Sequence, residues 1–284
     1  MSAEEHKDIE TTGHEWDGIQ EYNNPLPRWW LWTFYITIIW GIGYTIAYPA
    51  WPLIERATPG LAGFSTRQNV ADDIAAARAA NAEVEAQLAG ADLASLAPGS
   101  PVYDYAVNAG AALFMTNCSQ CHGAGADGAP GYPNLLDDAW LWGGDIEAIA
   151  YSVRHGIRND QDPDARWSEM PAFGEMLSEA EIGAVTQYVL SLSGNADDAG
   201  LAQTGATLFA DNCAACHGEN GEGNRDIGAP NLNDAIWLYG GDADSVTETI
   251  TASRFGVMPP WGERLGDAGV NALAVYVHQK GGGE

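Results

Sequence analysis

The sequence predicts a mainly α-helical protein in which one apolar helix near the N-terminus precedes two copies of the same small helical domain. The first observation is a run of 22 residues without any charge, Trp29–Ala50. The second is a repeat, because Gly110–Phe114 (GAALF) returns 95 residues later as Gly205–Phe209 (GATLF). The third is that all four cysteines fall in two C-x-x-C-H motifs, Cys118–His122 and Cys213–His217, again 95 residues apart.

The composition already excludes some classes of function. The 284 residues include 12 Lys and Arg against 39 Asp and Glu, a net charge of −27 at pH 7. This charge argues against a nucleic-acid partner and against electrostatic binding to anionic lipid, and it favours a basic partner. With 46% hydrophobic and 10% aromatic residues, the chain can form packed cores.

Each C-x-x-C-H motif is typical of covalent haem attachment. Two thiols three positions apart can add to the two vinyl groups of one porphyrin, and the next residue's imidazole then lies under the iron. The predicted attachment sites are Cys118, Cys121, Cys213 and Cys216, and the predicted iron ligands are His122 and His217. A zinc site built from both cysteine pairs and a redox-active dithiol are the alternatives, but neither requires the two histidines. We therefore expect two tandem class I cytochrome c domains with two covalently bound c-type haems.

Methionines are the best candidates for the second axial ligand of each iron. After His217 the only methionine is Met258, and the one further histidine, His278, falls in the predicted closing helix. In the first repeat Met170 shares with Met258 a following proline, an aromatic residue three positions on and a tyrosine eighteen positions on. Its competitors there are Met115, Met176 and His155. Because a thioether favours ferrous iron and two protein ligands leave no place for oxygen, we expect electron-carrying haems.

Two further pairs of residues recur beside these ligands. Pro133 and Pro230 stand where a backbone carbonyl can accept the imidazole N–H of the proximal histidine, although a plain turn proline would look the same. Arg154 and Arg254 either pair with haem propionates or are ordinary surface arginines.

The charge-free run has the length of a membrane span, since 22 residues at about 1.5 Å each cover roughly 30 Å. Tryptophans and tyrosines at its two ends fit the aromatic belts of a lasting span. A cleaved signal peptide is the alternative, but the leading segment is long and no A-x-A site follows. Because bacterial haem attachment takes place outside the cytoplasmic membrane, we expect a single-pass protein of the bacterial inner membrane with a cytoplasmic N-terminus and periplasmic haem domains.

The expected organisation has five parts. They are a cytoplasmic tail (1–28), a transmembrane helix (29–50), a periplasmic linker with an amphipathic helix (51–103) and two cytochrome c domains (104–194 and 199–284). The amphipathic helix, Ser65–Leu88, is either a solvated spacer or docks its apolar face on a partner or the membrane surface. Each methionine loop could close on the haem of its own domain, or the two domains could exchange loops. We favour exchange, because an electron relay needs close haems.

The N-terminal segment carries a family resemblance. Gly13–Glu21 (GHEWDGIQE) and Asn24–Pro27 (NPLP) run directly into Arg28–Trp30, one span and two haem domains. This arrangement resembles the CcoP/FixP family, the dihaem subunit III of cbb3-type cytochrome c oxidases. The resemblance covers essentially the whole chain, and the N-terminal segment is its family-specific part. The one departure is extra length at Ile157–Ser168, before Met170.

The resemblance implies a non-catalytic electron-transfer subunit of a membrane oxidase. Electrons would pass from a soluble or membrane-bound c-type cytochrome through both haems to a monohaem subunit. From there they would reach the haem–copper subunit, which reduces oxygen and pumps protons. Two alternatives remain open: a membrane-anchored dihaem cytochrome serving a different reductase, and a haem sensor or small peroxidase with an open axial site.

Overall fold

The computed structural model describes residues 10–284. The chain divides into two compact units, 1–79 and 80–284, and we describe each by itself. Helix α2 (Thr66–Ala89) contains the boundary between them. Residues 1–9, the beginning of the expected tail, lie outside the described residues.

A β-hairpin opens the described part of the first unit. Strands β1 (Thr11–Trp16) and β2 (Ile19–Tyr22) pair antiparallel, with Trp16 opposite Ile19. The turn between them is Asp17–Gly18, and both residues have positive φ angles, 49° and 81°. Asp-Gly between two strands is the sequence signature of a type I′ hairpin. The polar composition of this stretch predicts only a solvated tail; the structure adds the hairpin, and all residues of its strands are exposed.

Helix α1 is the apolar helix that the charge-free run predicts. It consists of the 20 residues Arg28–Ala47, begins directly after Pro27 and has no buried residue. At about 1.5 Å per residue it is about 30 Å long, and by length and composition it can cross a membrane once. The run was expected to stay helical to Ala50. It ends earlier because Tyr48 precedes Pro49, which disfavours helical backbone, and adopts an extended conformation (φ −117°, ψ 160°).

Helix α2 corresponds to the amphipathic helix expected over Ser65–Leu88. The backbone N–H of Gln68 donates to Ser65 Oγ at 3.2 Å, which satisfies one of the free amides at the start of the helix. The expected apolar face is covered only at its C-terminal end, since Val70 is 56% exposed whereas Leu88 is fully buried.

The second unit is built from helices in an order that repeats once. They are α3 (Pro101–Asn117), α4 (Ser119–His122), α5 (Ile146–His155), α6 (Glu179–Leu192), α7 (Ala199–Asn212), α8 (Ala214–His217), α9 (Ala243–Ala252) and α10 (Gly262–His278). Side chains that accept a hydrogen bond from the first turn cap α3, α5, α6, α7 and α9; these are Ser100, Asp145, Ser178, Asp198 and Asp242. Such caps are local signals, so the sequence itself determines where these helices begin.

Helices from different repeats pack together. Helix α3 packs against α10, where the rings of Phe114 and Tyr276 lie 5.5 Å apart. Helix α6 packs against α7, where the rings of Tyr188 and Phe209 lie 5.0 Å apart. Helix α5 packs on the first pair and α9 on the second. The leading helix of the first repeat thus meets the closing helix of the second repeat.

Each of these helix pairs is the centre of one hydrophobic core. The first core includes Leu88, Phe114, Ile149, Val153, Val270 and Leu273. The second core includes Phe173, Ile182, Val185, Val189, Phe209 and Ile250. The first core combines residues from two segments of the chain, 88–153 and 270–277, and the residues of the second core lie between these segments, at 173–250.

The domain boundaries expected at 104–194 and 199–284 stay a prediction about the repeated sequence. The packing follows another division, because the first core takes α10 from the second repeat and the second core takes α6 from the first. The sequence cannot distinguish the two divisions: α3 and α7 are equivalent, α6 and α10 are equivalent, and each leading helix therefore offers a similar surface to either closing helix.

Candidate functional site

Two cavities of nearly equal size lie beside the two cores. The first, about 1320 Å³ including its open mouth, is lined by Cys118, Cys121 and His122. The same wall contains Met258, which comes from the second repeat. Most of the remaining lining is apolar, and Phe114 and Leu273 of the first core contribute to it.

The second cavity, about 1330 Å³ including its mouth, repeats this arrangement. Cys213, Cys216 and His217 line it together with Met170, which comes from the first repeat. The competing candidates Met115 and Met176 are more than half exposed and line neither cavity. His155 contacts Asp162 at 3.0 Å and also lies outside both walls.

One helical turn positions each C-x-x-C-H motif. Helix α3 ends at Asn117, and the carbonyl oxygen of the next residue, Cys118, accepts from the backbone N–H groups of Cys121 and His122 at 3.1 and 3.0 Å. Helix α8 has the same bonds to Cys213, at the same two distances. Gly123 and Gly218 follow with φ angles of 79° and 81°, which end the turn. Each turn therefore presents its imidazole and its thiols to one cavity.

Both imidazoles are oriented by a backbone carbonyl. His122 Nδ1 lies 3.1 Å from the carbonyl oxygen of Pro133, and His217 Nδ1 lies 3.0 Å from that of Pro230. Burial lowers the pKa of both histidines, and the carbonyl contact opposes that shift only in part. A neutral imidazole that donates from Nδ1 presents an unprotonated Nε2, the form that binds a metal.

None of the four cysteines forms a disulfide. Burial, and then the neighbouring Cys121, raises the pKa of Cys118 to about 11. Cys213 has its pKa raised to about 11 in the same way, with Cys216 as its neighbour. Cys121 and Cys216 are exposed. Both cysteine pairs are therefore available for covalent attachment of haem.

Different contacts hold the two methionine loops. Ile157 and Met258 exchange both backbone hydrogen bonds, each at 2.9 Å, so the Met258 loop is paired with the segment that follows α5. Ser253 Oγ donates to the carbonyl oxygen of Met170. Ser253 has a positive φ of 57° at the end of α9, which makes this contact part of the helix terminus.

The two arginines differ in position. Arg154 pairs with Asp267 and does not line the first cavity. Arg254 lines the second cavity, where it pairs with Glu248 at 2.8 Å and stacks over the ring of Tyr239 at 5.0 Å. Only the second member of the predicted pair is therefore at a cavity.

The residues of both cavities fit a covalently attached haem. Each cavity combines two thiols, a neutral imidazole whose Nδ1 contacts a backbone carbonyl, and a thioether, within an apolar wall. In the first cavity the buried Trp142 Nε1 has no hydrogen-bond partner among the described residues. A free N–H donor of this kind suits an acceptor such as a propionate oxygen.

The two cavities share part of their walls. Leu141 and Leu238, equivalent positions of the two repeats, each line both cavities, as do Arg158 and Gly256. The backbone N–H of Gly131 donates to the carbonyl oxygen of Leu238 at 2.7 Å and joins the loops that carry this wall. A residue that lines both cavities forms the whole thickness of the wall at that point.

Arg158 is the residue at this wall that the sequence did not reveal. Its Nε donates to the carbonyl oxygen of Gly256 at 2.7 Å, and Nη1 donates to that of Ser168 at 3.0 Å. It falls in the extra length Ile157–Ser168, which has no counterpart in the second repeat. No motif and no repeat pairing marks it, so only the fold shows where its side chain lies.

An acidic groove opens beside both cavities. It shares Pro133 and Trp140 with the first cavity, and Pro230 and Trp237 with the second. The carboxylates along it are Asp127, Asp137, Asp138, Glu222, Asp226 and Asp234. The arginine on the same wall, Arg225, pairs with Glu284. The net charge at the groove is therefore strongly negative.

Three family models match successive parts of the chain. The model described as the N-terminal domain of cytochrome oxidase-cbb3, FixP, matches residues 8–55. The cytochrome c model matches residues 107–193, and the model of cytochrome c oxidase, cbb3-type, subunit III, matches residues 200–277. These matches confirm the predicted order of one N-terminal segment and two cytochrome c domains, and with it c-type haem as the cofactor.

Curated relatives match the chain over nearly its whole length. The cbb3-type cytochrome c oxidase subunit CcoP of Cereibacter sphaeroides is 62% identical over 276 residues, which cover 96% of this chain and 95% of the relative. Subunit CcoP of Rhodobacter capsulatus is 52% identical, with 98% and 97% covered. Subunit FixP of Sinorhizobium medicae is 50% identical, with 97% and 96% covered.

Proposed function

The chain belongs to the CcoP/FixP family of cbb3-type cytochrome c oxidase subunits, and we propose that it relays electrons through two haems that are each held by both repeats. It is an electron-transfer subunit of such an oxidase and carries covalently bound c-type haems. A bound c-type haem supplies one-electron exchange between ferrous and ferric iron. The protein residues determine where the haems lie and which oxidation state is favoured.

The proposed ligand sets combine residues of different repeats. In the first cavity Cys118 and Cys121 would attach a haem, and His122 and Met258 would bind its iron. In the second cavity Cys213 and Cys216 would attach a haem, and His217 and Met170 would bind its iron. The observation that carries this proposal is that each cavity wall combines one C-x-x-C-H motif with the methionine of the other repeat. Pro133 and Pro230 keep the imidazoles oriented through their carbonyl oxygens.

The shared wall supports electron transfer between the two haems. Leu141 and Leu238 each line both cavities, so no further layer of protein separates the two apolar sites there. Haems held in these two cavities would lie within one compact unit, as a relay requires. His122, Met258, His217 and Met170 would supply two protein ligands to each iron, which would leave no position for oxygen.

The donor and the acceptor are the finer part of the proposal. Electrons enter from a soluble or membrane-bound c-type cytochrome, for which the acidic groove beside both cavities offers a negatively charged docking surface. They leave to the monohaem subunit and then reach the haem–copper subunit of the oxidase. Helix α1 is the membrane anchor, with the N-terminus in the cytoplasm and the haem domains in the periplasm.

Purification of the complex tests this function. A tag on the C-terminus of this chain, used on detergent-solubilised membranes, should recover haem b, copper and a monohaem c-type subunit together with two c haems in the tagged chain. Recovery of the dihaem chain with a different reductase, and without haem b and copper, would contradict it. Carbon monoxide difference spectra of the isolated chain should show no binding, since each iron would have two protein ligands.

A further inference from the structure

We propose that Arg158 is a positioning residue that ties the two methionine loops together at the wall between the haem cavities and places one positive charge beside both haems. The inference rests on the ligand sets proposed above. It concerns a side chain in the stretch Ile157–Ser168, which has no equivalent in the second repeat.

The hydrogen bonds of Arg158 reach both loops at equivalent points. Its Nε donates to the carbonyl oxygen of Gly256, two residues before Met258, at 2.7 Å. Its Nη1 donates to the carbonyl oxygen of Ser168, two residues before Met170, at 3.0 Å. One planar guanidinium therefore fixes the backbone that leads to each methionine.

The base of the side chain is itself fixed. Arg158 has a positive φ of 50°, and the preceding Ile157 exchanges backbone hydrogen bonds with Met258. The guanidinium carbon lies 5.6 Å from the ring centre of Phe255. A planar guanidinium whose side chain is fixed at its base couples the positions of the two loops. The ammonium group of a lysine is flexible and makes a single point contact, so it cannot do this.

The charge has a separate effect. Arg158 lines both cavities, and a guanidinium stays protonated at any working pH. Ferric haem carries one more positive charge than ferrous haem, so a nearby cation favours the ferrous form. Arg158 thus raises the midpoint potentials of both haems together. Arg254, which lines only the second cavity, provides a matched comparison.

The test uses the full-length chain with both haems. Redox titration should show both midpoint potentials lowered in Arg158→Met, each by about 59 mV, which is a tenfold change in a one-electron equilibrium constant. The red charge-transfer band of methionine-ligated ferric haem should disappear at a lower temperature for both haems. In Arg254→Met only one haem should change. Arg158→Lys should restore both potentials but not the thermal stability of the band.

The outcomes separate this inference from the ligand assignment. Met170→Ala and Met258→Ala must each remove the band of one haem; if neither does, the ligand sets and the role of Arg158 both fail. If they do, unchanged potentials and bands in Arg158→Met, or a change confined to one haem, overturn the role of Arg158 alone. If Arg158→Met does not assemble with two haems, Arg158→Lys decides: both bands must lose thermal stability, and wild-type behaviour overturns the proposal.

Discussion

At Gly110 and Gly205 the backbones of two helices touch. A side-chain carbon at Gly110 of α3 would collide with the carbonyl oxygen of Ala272 in α10. At Gly205 of α7 it would collide with the carbonyl oxygen of Ala184 in α6. The two glycines occupy the same place in the repeat, so both crossings depend on the absence of a side chain.

We predict that Gly205→Ala destabilises the haem-binding unit. Overpacking of this kind costs about 1–3 kcal/mol, because the helices must separate or shift. For a unit of this size, Tm should fall by about 2–4 °C for each kcal/mol. Thermal unfolding followed by circular dichroism measures the change.

The matched control is Gly183→Ala, on helix α6 of the same pair. A side-chain carbon there meets nothing within 4 Å, so the variant should be neutral or gain up to about 1 kcal/mol from helix propensity. Equal losses in Gly205→Ala and Gly183→Ala would show that the close crossing is not what Gly205 provides.

Residues of the candidate haem sites could be predicted from the sequence where a short motif or a position in the repeat marks them. The C-x-x-C-H motifs need only four consecutive positions after the first cysteine, and the hypothesis that Met258 is a ligand followed by elimination. The carbonyl contacts of Pro133 and Pro230 followed from position in the repeat. The role of Arg158 did not, because its stretch has no equivalent in the second repeat and Gly256 is brought to it only by the packing of the two repeats.

Helix α1 is the most exposed long helix in the described part of the chain. None of its residues is buried, and a side-chain carbon at Gly41 or Gly43 would meet nothing within 4 Å. Between bulky residues such as Trp40 and Ile42, these glycines leave a shallow groove. Small residues at such positions let a neighbouring membrane helix approach closely.

We predict that replacing both Gly41 and Gly43 by leucine weakens association with the other oxidase subunits and leaves the haem content of this chain unchanged. The measurement is subunit stoichiometry after affinity purification, with haem quantified per chain. Leucine at Ile38 and Ile42 serves as the control, because it adds no bulk. An unaltered stoichiometry in the glycine variant would remove these residues from the subunit interface.

Sequence patterns predicted the individual helices better than they predicted which helices pack together. The length of the apolar run predicted α1, and helical periodicity predicted α2. The hairpin was not predicted, because Asp17–Gly18 is recognisable as its turn only when the paired strands are known. The pairing of α3 with α10 could not be derived, since both closing helices carry the same pattern. Long-range choices between equivalent surfaces depend on packing energy summed over many contacts.

The charge of the whole molecule bears on the donor. With a net charge of −27 and an acidic groove beside both cavities, this chain should attract a basic cytochrome c from a distance. We predict that the second-order rate of reduction by such a cytochrome falls about tenfold or more as the Debye length shrinks from about 30 Å at 0.01 M salt to about 8 Å at physiological salt.

Stopped-flow reduction over that range of salt measures the rate. Reduction by a small neutral reductant is the control, because it is not steered by charge. A rate that stays flat for the basic cytochrome would indicate a tethered or apolar donor site, with the acidic residues serving only solubility.

Variants with a single haem test most directly whether each haem is ligated across the repeats. Replacing Cys213 and Cys216 by alanine leaves only the haem attached at Cys118 and Cys121, so any methionine band in the ferric spectrum belongs to that iron. Met258→Ala in this background should abolish the band, and Met170→Ala should leave it intact. Loss of the band with Met170→Ala and its survival with Met258→Ala would contradict the exchanged arrangement.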